Sequence, residues 1–315
     1  MRIAMVGLGE IARKAYLPII ATLSDVEVVL CSRNRDLLER LAAGNRIPKL
    51  TTEIGELASM NIDAAFVHTA TESHASVVCR LLEQGTHVYV DKPLAYTLSE
   101  ARRMVALAES KNRLLRVGFN RRYAPMYEAL AGKPERRIVT MQKNRVAAPD
   151  LARRVVLDDF IHVVDTLRFL APGPIERVNV SGGIRSGRLH HLVLQLDGPG
   201  FSLIGLMNRD SGMTEETVEV MSPGNKWTVQ SLSKTTHSQA GREQVVNAGD
   251  WDTVLWRRGF PQIIQHFLDC VRSTIVVHQS AQDSLATHAL CEHIVSELEA
   301  SGATPMELGS TDPAA

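Results

Sequence analysis

Residues 1–12 read M-R-I-A-M-V-G-L-G-E-I-A, an apolar run with no charge after Arg2 that breaks into Gly7-Leu8-Gly9-Glu10-Ile11-Ala12. This is a strand feeding a glycine turn. In a dinucleotide-binding unit the first glycine makes the tight turn, the second lets backbone approach a pyrophosphate, and a third small residue, here Ala12, allows close helix-strand packing. The helix expected through Ala15, Leu17 and Ile20 would aim its free N–H groups and positive dipole end at the phosphates. Gly7, Leu8, Gly9, Glu10 and Ile11 are therefore expected to bind the cofactor. A lone glycine turn also arises by chance, and its place at the head of a strand-helix-strand unit is what gives it weight.

Working outward, a second strand over 26–30 ends at Cys31-Ser32-Arg33-Asn34-Arg35, and Leu37, Leu38 and Leu41 then mark a helix. An NAD site usually carries Asp or Glu at that strand tip to accept from the ribose 2'-hydroxyl, whereas Ser32, Arg33 and Arg35 suit a 2'-phosphate. NADP is thus favoured over NAD; if the two arginines are only a solvated helix start, both cofactors would be used. A strand over 62–67 ends at His68-Thr69-Ala70-Thr71, a helix follows with His74 in its first turn, and a strand over 86–90 runs into Asp91-Lys92-Pro93. Strand ends of a doubly wound sheet face the ligand crevice, so Thr69, Ala70, His74, Asp91 and Lys92 join the cofactor candidates, although His74 could equally be a structural hydrogen-bonder. Thr97 and Glu100 form a capping box, and a last parallel strand over 114–117 leads into Gly118-Phe119-Asn120-Arg121-Arg122-Tyr123.

Beyond this point strand-helix alternation stops. A helix is expected over 125–130, a strand over 138–145 and a helix over 157–170. Strand-like runs follow over 175–180, 189–196, 201–207, 217–221 and 227–232, separated by turns such as Asp197-Gly198-Pro199-Gly200. Helices over 260–272 and 281–300 end the ordered chain. The fold class is therefore α/β: an N-terminal Rossmann doubly wound parallel sheet over 1–119, an α+β domain with a mostly antiparallel open sheet over 120–300, and a loose tail over 301–315.

Composition bounds the partners. The 315 residues suffice for two domains, and Lys+Arg and Asp+Glu both count 35, so no net field favours nucleic acid or a membrane surface. A small molecule is the expected partner. No apolar run approaches the roughly 20 residues of a membrane helix, and the chain opens on a strand without a basic, then apolar leader, so a cytoplasmic location is expected. Cys31, Cys79, Cys270 and Cys291 show neither C-x-x-C nor zinc spacing; no metal is expected, and the four read as buried thiols.

Two groups carry the chemistry. Lys92 directly follows a strand and precedes a proline, which holds its ammonium at the crevice, where it can hydrogen-bond or trade a proton with a carbinol oxygen. Asp158, His162 and Asp165 fall at i, i+4 and i+7, on one face of a helix whose Phe160, Val164 and Leu167 can face a core, so the stripe is expected to border a cleft. A carboxylate beside an imidazole stabilises the imidazolium, as a general base near pH 7 needs. The same residues also read as an acidic helix cap with a stabilising His pair.

With these residues in hand, the chain resembles the Gfo/Idh/MocA oxidoreductase family, in particular its MviM-like branch of virulence factor homologues. The resemblance rests on Gly7-x-Gly9-x-x-Ala12 with Ala15-Tyr16-Leu17-Pro18, on Thr69-Ala70-Thr71-x-x-His74, on Asp91-Lys92-Pro93-Leu94, on the run from Gly118 through Pro125, and on Asp158-x-x-x-His162-x-x-Asp165. It implies that Lys92, Asp158 and His162 form the catalytic group, with Asn120 and Arg122 beside them in substrate binding, and that the open sheet makes a homodimer or a dimer of dimers. Asp91 departs from the family's usual Glu, and Val155-Val156-Leu157-Asp158-Asp159 replaces its glycine run. The expected activity is NAD(P)-dependent hydride transfer to or from a sugar, cyclitol or related polyol derivative. The competing expectation is a non-catalytic dinucleotide-binding sensor, and redox-assisted elimination is a third.

Overall fold

The structure, a computed structural model, describes residues 1–273 and 278–302. The loose tail expected over 301–315 lies, from 303 on, outside the described residues.

The first sheet is six parallel strands, β1 Arg2–Val6, β2 Glu27–Cys31, β3 Lys49–Thr51, β4 Ala64–Val67, β5 His87–Val90 and β6 Leu115–Val117, in the order β3-β2-β1-β4-β5-β6. Its centre is covered on both faces, which is why β1 and β4 read as unbroken apolar runs. Ile3, Met5, Phe66 and Tyr89 face one cluster, which is completed from far along the chain by Phe260, Ile263 and Phe267 of the helix Phe260–Arg272. Ala4, Val6, Ala65 and Val67 face the other, against Val78 and Leu82. Sequence order reverses between β1 and its neighbour β4, so the connections leaving their carboxyl ends diverge to opposite faces and leave a crevice there.

Two local features differ from expectation. The edge strand β3 was not legible, because Lys49-Leu50-Thr51 is too short to show a pattern. The first helix begins as a π-helical turn, Ala12–Tyr16, before the α-helical Leu17–Ile20. Pro18 cannot donate to the carbonyl four residues back and its ring crowds it, so the wider turn lets Leu17 N–H reach Ala12 O instead.

The second sheet has eight strands: β7 Ile138–Asn144, β8 Arg177–Arg185, β9 Arg188–Gly198, β10 Phe201–Asn208, β11 Glu215–Ser222, β12 Asn225–Gln230, β13 Lys234–Gln239 and β14 Arg242–Asn247. The order is β14-β13-β12-β11-β7-β10-β9-β8, antiparallel throughout except for the parallel pair β7 and β10. The strands β13 and β14 went unread because their polar sequences, K-T-T-H-S-Q and R-E-Q-V-V-N, lack an alternating apolar face. All four cysteines are free; Cys31 and Cys291 are buried, while Cys79 and Cys270 are only partly so. Among the described residues no helix is long and apolar enough to cross a membrane.

Candidate active site

The crevice begins at the first glycine. Gly7 has φ +87°, and a Cβ there would lie 2.7 Å from Thr69 N and 2.8 Å from His68 O, so only glycine lets the two strand ends close up. A cavity of about 530 Å³ opens alongside, lined by Gly7, Gly9, Ser32, Arg33, Thr69 and Ala70. Thr69 and Ala70 also line a second cavity of about 590 Å³, which continues to Asp91, Lys92 and the second sheet. The two cavities meet at Thr69 and Ala70, so a lined path runs from Arg33 past Gly9 to Lys92. Ile11 and His74 line the second cavity, and Glu10, engaged with Lys14, borders a side pocket with Gly9. The Leu8 side chain is buried in the core, leaving only its main chain for a ligand.

Arg35 departs from expectation. It lies 3.3 Å from Glu39 one helical turn on, exposed on the outside of the helix Arg35–Asn45, and lines neither cavity. The helix starts with Asn34, whose side chain accepts from Leu37 N at 3.0 Å, and this turns Arg35 away while Ser32 and Arg33 stay at the rim. His74 is buried, its Nδ1 2.8 Å from Pro93 O and its Nε2 3.1 Å from Thr69 O. It therefore ties the strand end at Thr69 to the segment that carries Lys92.

The larger cavity gathers side chains from both halves of the chain. Lys92 Nζ donates to the main-chain oxygen of Asp158 at 2.5 Å, and the Asp158 carboxylate accepts from Tyr96 Oη, 3.0 Å from each oxygen. Burial raises the Asp158 pKa, although Tyr96 and Lys92 pull it down. Burial likewise raises that of Asp91, whose Oδ1 accepts from Lys92 N at 2.8 Å. Asp158 lies in a π-helical turn, Val155–Phe160, that leads into the α-helix Ile161–Leu170.

His162 shares the cavity with Lys92 and Asp158, but its electrostatics invert the expectation. No bond joins it to Asp158, its buried Nδ1 lacks a partner among the described residues, and its pKa is held well below the usual 6.5. Burial is the first cause; the cations of Arg121, Lys143, Lys92 and Arg145 reinforce it. The ring is a neutral imidazole at pH 7. The imidazolium expected from a neighbouring carboxylate is disfavoured by burial and by these cations, and the Asp158 carboxylate, turned to Tyr96, does not offset them.

Two further expectations are corrected. Asp165 does not border the cleft: it is buried, accepting from Arg122 Nη2 at 2.6 Å, Arg122 Nε at 2.9 Å and Thr287 Oγ1 at 3.1 Å. The helix Ile161–Leu170 is covered nearly all round, so one stripe of it cannot be assigned to the cavity. Arg122, expected to touch substrate, spans Asp165 and Asp283 and lines neither cavity. Asn120–Tyr123 is a 3₁₀ turn, in which successive side chains fan out by about a third of a turn, so Arg121 reaches the cavity and Arg122 does not. Asn120 is buried at the lining and donates from Nδ2 to Arg258 O at 2.8 Å.

Tyr96, Arg121, Lys143, Arg145 and Arg258 line the cavity and were not singled out from sequence. Lys143 and Glu216 sit directly opposite on β7 and β11, Nζ to Oε2 3.2 Å apart. Burial outweighs that carboxylate and brings Lys143 down to about 8. Opposite charges on two separate strands were the available signal, and without the strand register it could not be used.

Comparison with known proteins bears on the fold and the family. Residues 1–119 match the oxidoreductase family model with an NAD-binding Rossmann fold, and residues 125–240 match the YceM-like C-terminal domain. The chain is 34% identical to YceM of Salmonella typhimurium, a protein designated an oxidoreductase, over 93% of this chain and 96% of that protein. It is 25% identical to inositol 2-dehydrogenase 2 of Paenarthrobacter aurescens over 96% and 98% of the two chains. The crystal structure of the dehydrogenase MviM from Clostridium difficile superposes with a TM-score of 0.90 at 32% identity, covering 95% of this chain and 99% of that one. With its glycine turn, its six-stranded parallel sheet and its Lys92 cavity closed by a second mixed sheet, the chain belongs to the Gfo/Idh/MocA family of oxidoreductases.

Proposed function

We propose that the protein transfers a hydride reversibly between NADP, with NAD as a usable alternative, and a carbinol or carbonyl carbon of a sugar, cyclitol or related polyol derivative. The observation that carries this reading is that Lys92 and His162, from opposite halves of the chain, line one cavity continuous with the glycine turn. The inositol 2-dehydrogenase among its relatives supports the polyol class. Gly7, Gly9, Ser32, Arg33, Thr69 and Ala70 would hold the cofactor, which when bound supplies or accepts the hydride.

The chain's own side chains manage the proton. Lys92 keeps two N–H donors beyond the one given to Asp158 O and stabilises the developing alkoxide. Neutral His162 accepts the hydroxyl proton, and the surrounding cations make its conjugate acid release that proton readily. Asp158, fixed by Tyr96, holds a neighbouring substrate hydroxyl. The outer face of the second sheet would carry the homodimer contact.

Nicotinamide fluorescence with a polyol panel tests the reading. Binding of NADPH is expected, and in a separate assay reduction of oxidised NADP by at least one polyol, with net accumulation of NADPH separating dehydrogenation from redox-assisted elimination. Binding without turnover on any substrate, indifferent to His162→Ala, would establish a sensor instead.

A further inference from the structure

The cavity wall built by residues that follow β6 carries more positive charge than its carboxylates neutralise. Arg121 is bidentate to Glu216, at 3.0 and 2.9 Å, and Arg145 is bidentate to Asp159, at 2.8 and 2.7 Å. Arg209 Nη1 adds a contact to Asp159 at 2.7 Å, and Lys143 Nζ lies 3.2 Å from Glu216 and 3.5 Å from Asp159. Four cations thus share two carboxylates. Arg258 joins this wall, and among the described residues its guanidinium has no hydrogen bond or ion pair.

The backbone that carries Arg258 is nevertheless fixed. Asn120 Nδ2 donates to its carbonyl at 2.8 Å, and the following Gly259, at φ +80°, packs so closely that a Cβ would lie 2.4 Å from Asn120 O and 2.5 Å from Tyr123 C. A pinned base with a free head group is the arrangement of a recognition arginine. Burial lowers the Arg258 pKa, and Arg121, Arg145 and Arg257 add to that; Glu216, the carboxylate that opposes it, is already committed to Arg121 and Lys143. Arg258 nevertheless remains exposed to solvent, so an incoming anion can reach this unpaired guanidinium and offset the repulsion of the like charges around it.

Cofactor phosphates do not meet that need, since the cavity at Gly7 and Gly9 is lined by none of Arg121, Lys143, Arg145 or Arg258. Resting on the oxidoreductase reading of this cavity, we infer that the substrate carries an oxyanion, a carboxylate or a phosphate, bound by the fork of Arg258 while its carbinol lies at Lys92 and His162. The substrate class is then an acidic or phosphorylated sugar or polyol, not a neutral one.

Calorimetric titration of the NADP-loaded protein at fixed ionic strength tests this, using glucuronate, glucose 6-phosphate and glucose, with inorganic phosphate and acetate as probes free of any sugar scaffold. At least one anion of the set should bind about ten-fold or more tightly than glucose. The carboxylate and phosphate arms distinguish the two sources of the oxyanion. Arg258→Gln should abolish the preference and Arg258→Lys should restore part of it, both with NADP affinity unchanged, which also shows that the variants fold. Glucose binding as tightly as every anion, no anion binding at all, or a preference that survives in Arg258→Gln each overturns the inference. Turnover of neutral polyols alone would leave the oxidoreductase reading standing while this inference fell; anion binding without nicotinamide turnover on any substrate would overturn the oxidoreductase reading, and the substrate inference with it, leaving only an anion site at Arg258.

Discussion

The ammonium of Lys92 donates to the main-chain oxygen of Asp158, 66 residues away and in the other half of the chain. The acceptor is a neutral carbonyl, so the lysine is positioned without surrendering its charge to a partner carboxylate. An alkoxide forming in the cavity would meet that charge.

Replacing Lys92 by Ala should therefore lower turnover by about 100- to 10,000-fold while NADPH affinity stays within about two-fold. Steady-state kinetics and fluorescence titration measure the two separately. Turnover unchanged from wild type would remove Lys92 from the mechanism.

Arg33 and Arg35 are expected to separate sharply. Arg33 lines the cavity beside Ser32, whereas Arg35 pairs with Glu39 on the outer helix face. Arg33→Asp should shift the ratio of NADP to NAD affinity towards NAD, and Arg35→Asp should leave it unchanged. A shift from the second substitution and none from the first would reverse the assignment of the 2'-phosphate site.

Burial brings His68 down to about 3 and His288 down to about 4, and His162 is also held below its ordinary value. Their folded pKa values lie below the unfolded one of about 6.5, so the unfolded chain binds more protons in the interval between them. The stability these rings contribute is fully present above about pH 6.5 and is lost as pH falls, by up to about 1.4 kcal/mol per unit for each ring. His288 makes the loss local to the site, because Leu94 N–H donates to its Nε2 at 2.7 Å, and a protonated ring cannot accept. Chemical denaturation between pH 7 and pH 4.5 should show this fall, with a shallower slope in His288→Gln; parallel slopes would contradict it.

Glu216 anchors the cationic wall, accepting from Arg121, Lys143 and Tyr127. Glu216→Ala leaves the buried Arg121 guanidinium without its counter-ion and Lys143 with Asp159 alone, at a cost of about 3–5 kcal/mol. Urea unfolding measures it, and a loss below about 1 kcal/mol would mean that solvent reaches the pair.

The parallel sheet, the glycine turn and the position of Lys92 could be read from the chain alone because each is local: an apolar run, a small-residue spacing, a residue at a strand tip. The acidic, His-containing start of a helix was legible for the same reason. Which of its side chains reach the cavity was not, since a π turn at Val155–Phe160 and an almost wholly buried helix place Asp165 with Arg122 and not with His162. The same limit applied to Arg121 against Arg122 and to Arg33 against Arg35, where neighbouring arginines are told apart only by the turn or cap that aims them.

Sequence by itself determined that a nucleotide fold with a lysine at its crevice would form, because periodicity and spacing act over a few residues. Tertiary structure alone decided the charge state of His162 and the unpaired state of Arg258. Both depend on burial and on cations brought from β7, from the turn after β6 and from the segment before Phe260, and Coulomb energy and desolvation respond to distance in space, not to separation along the chain.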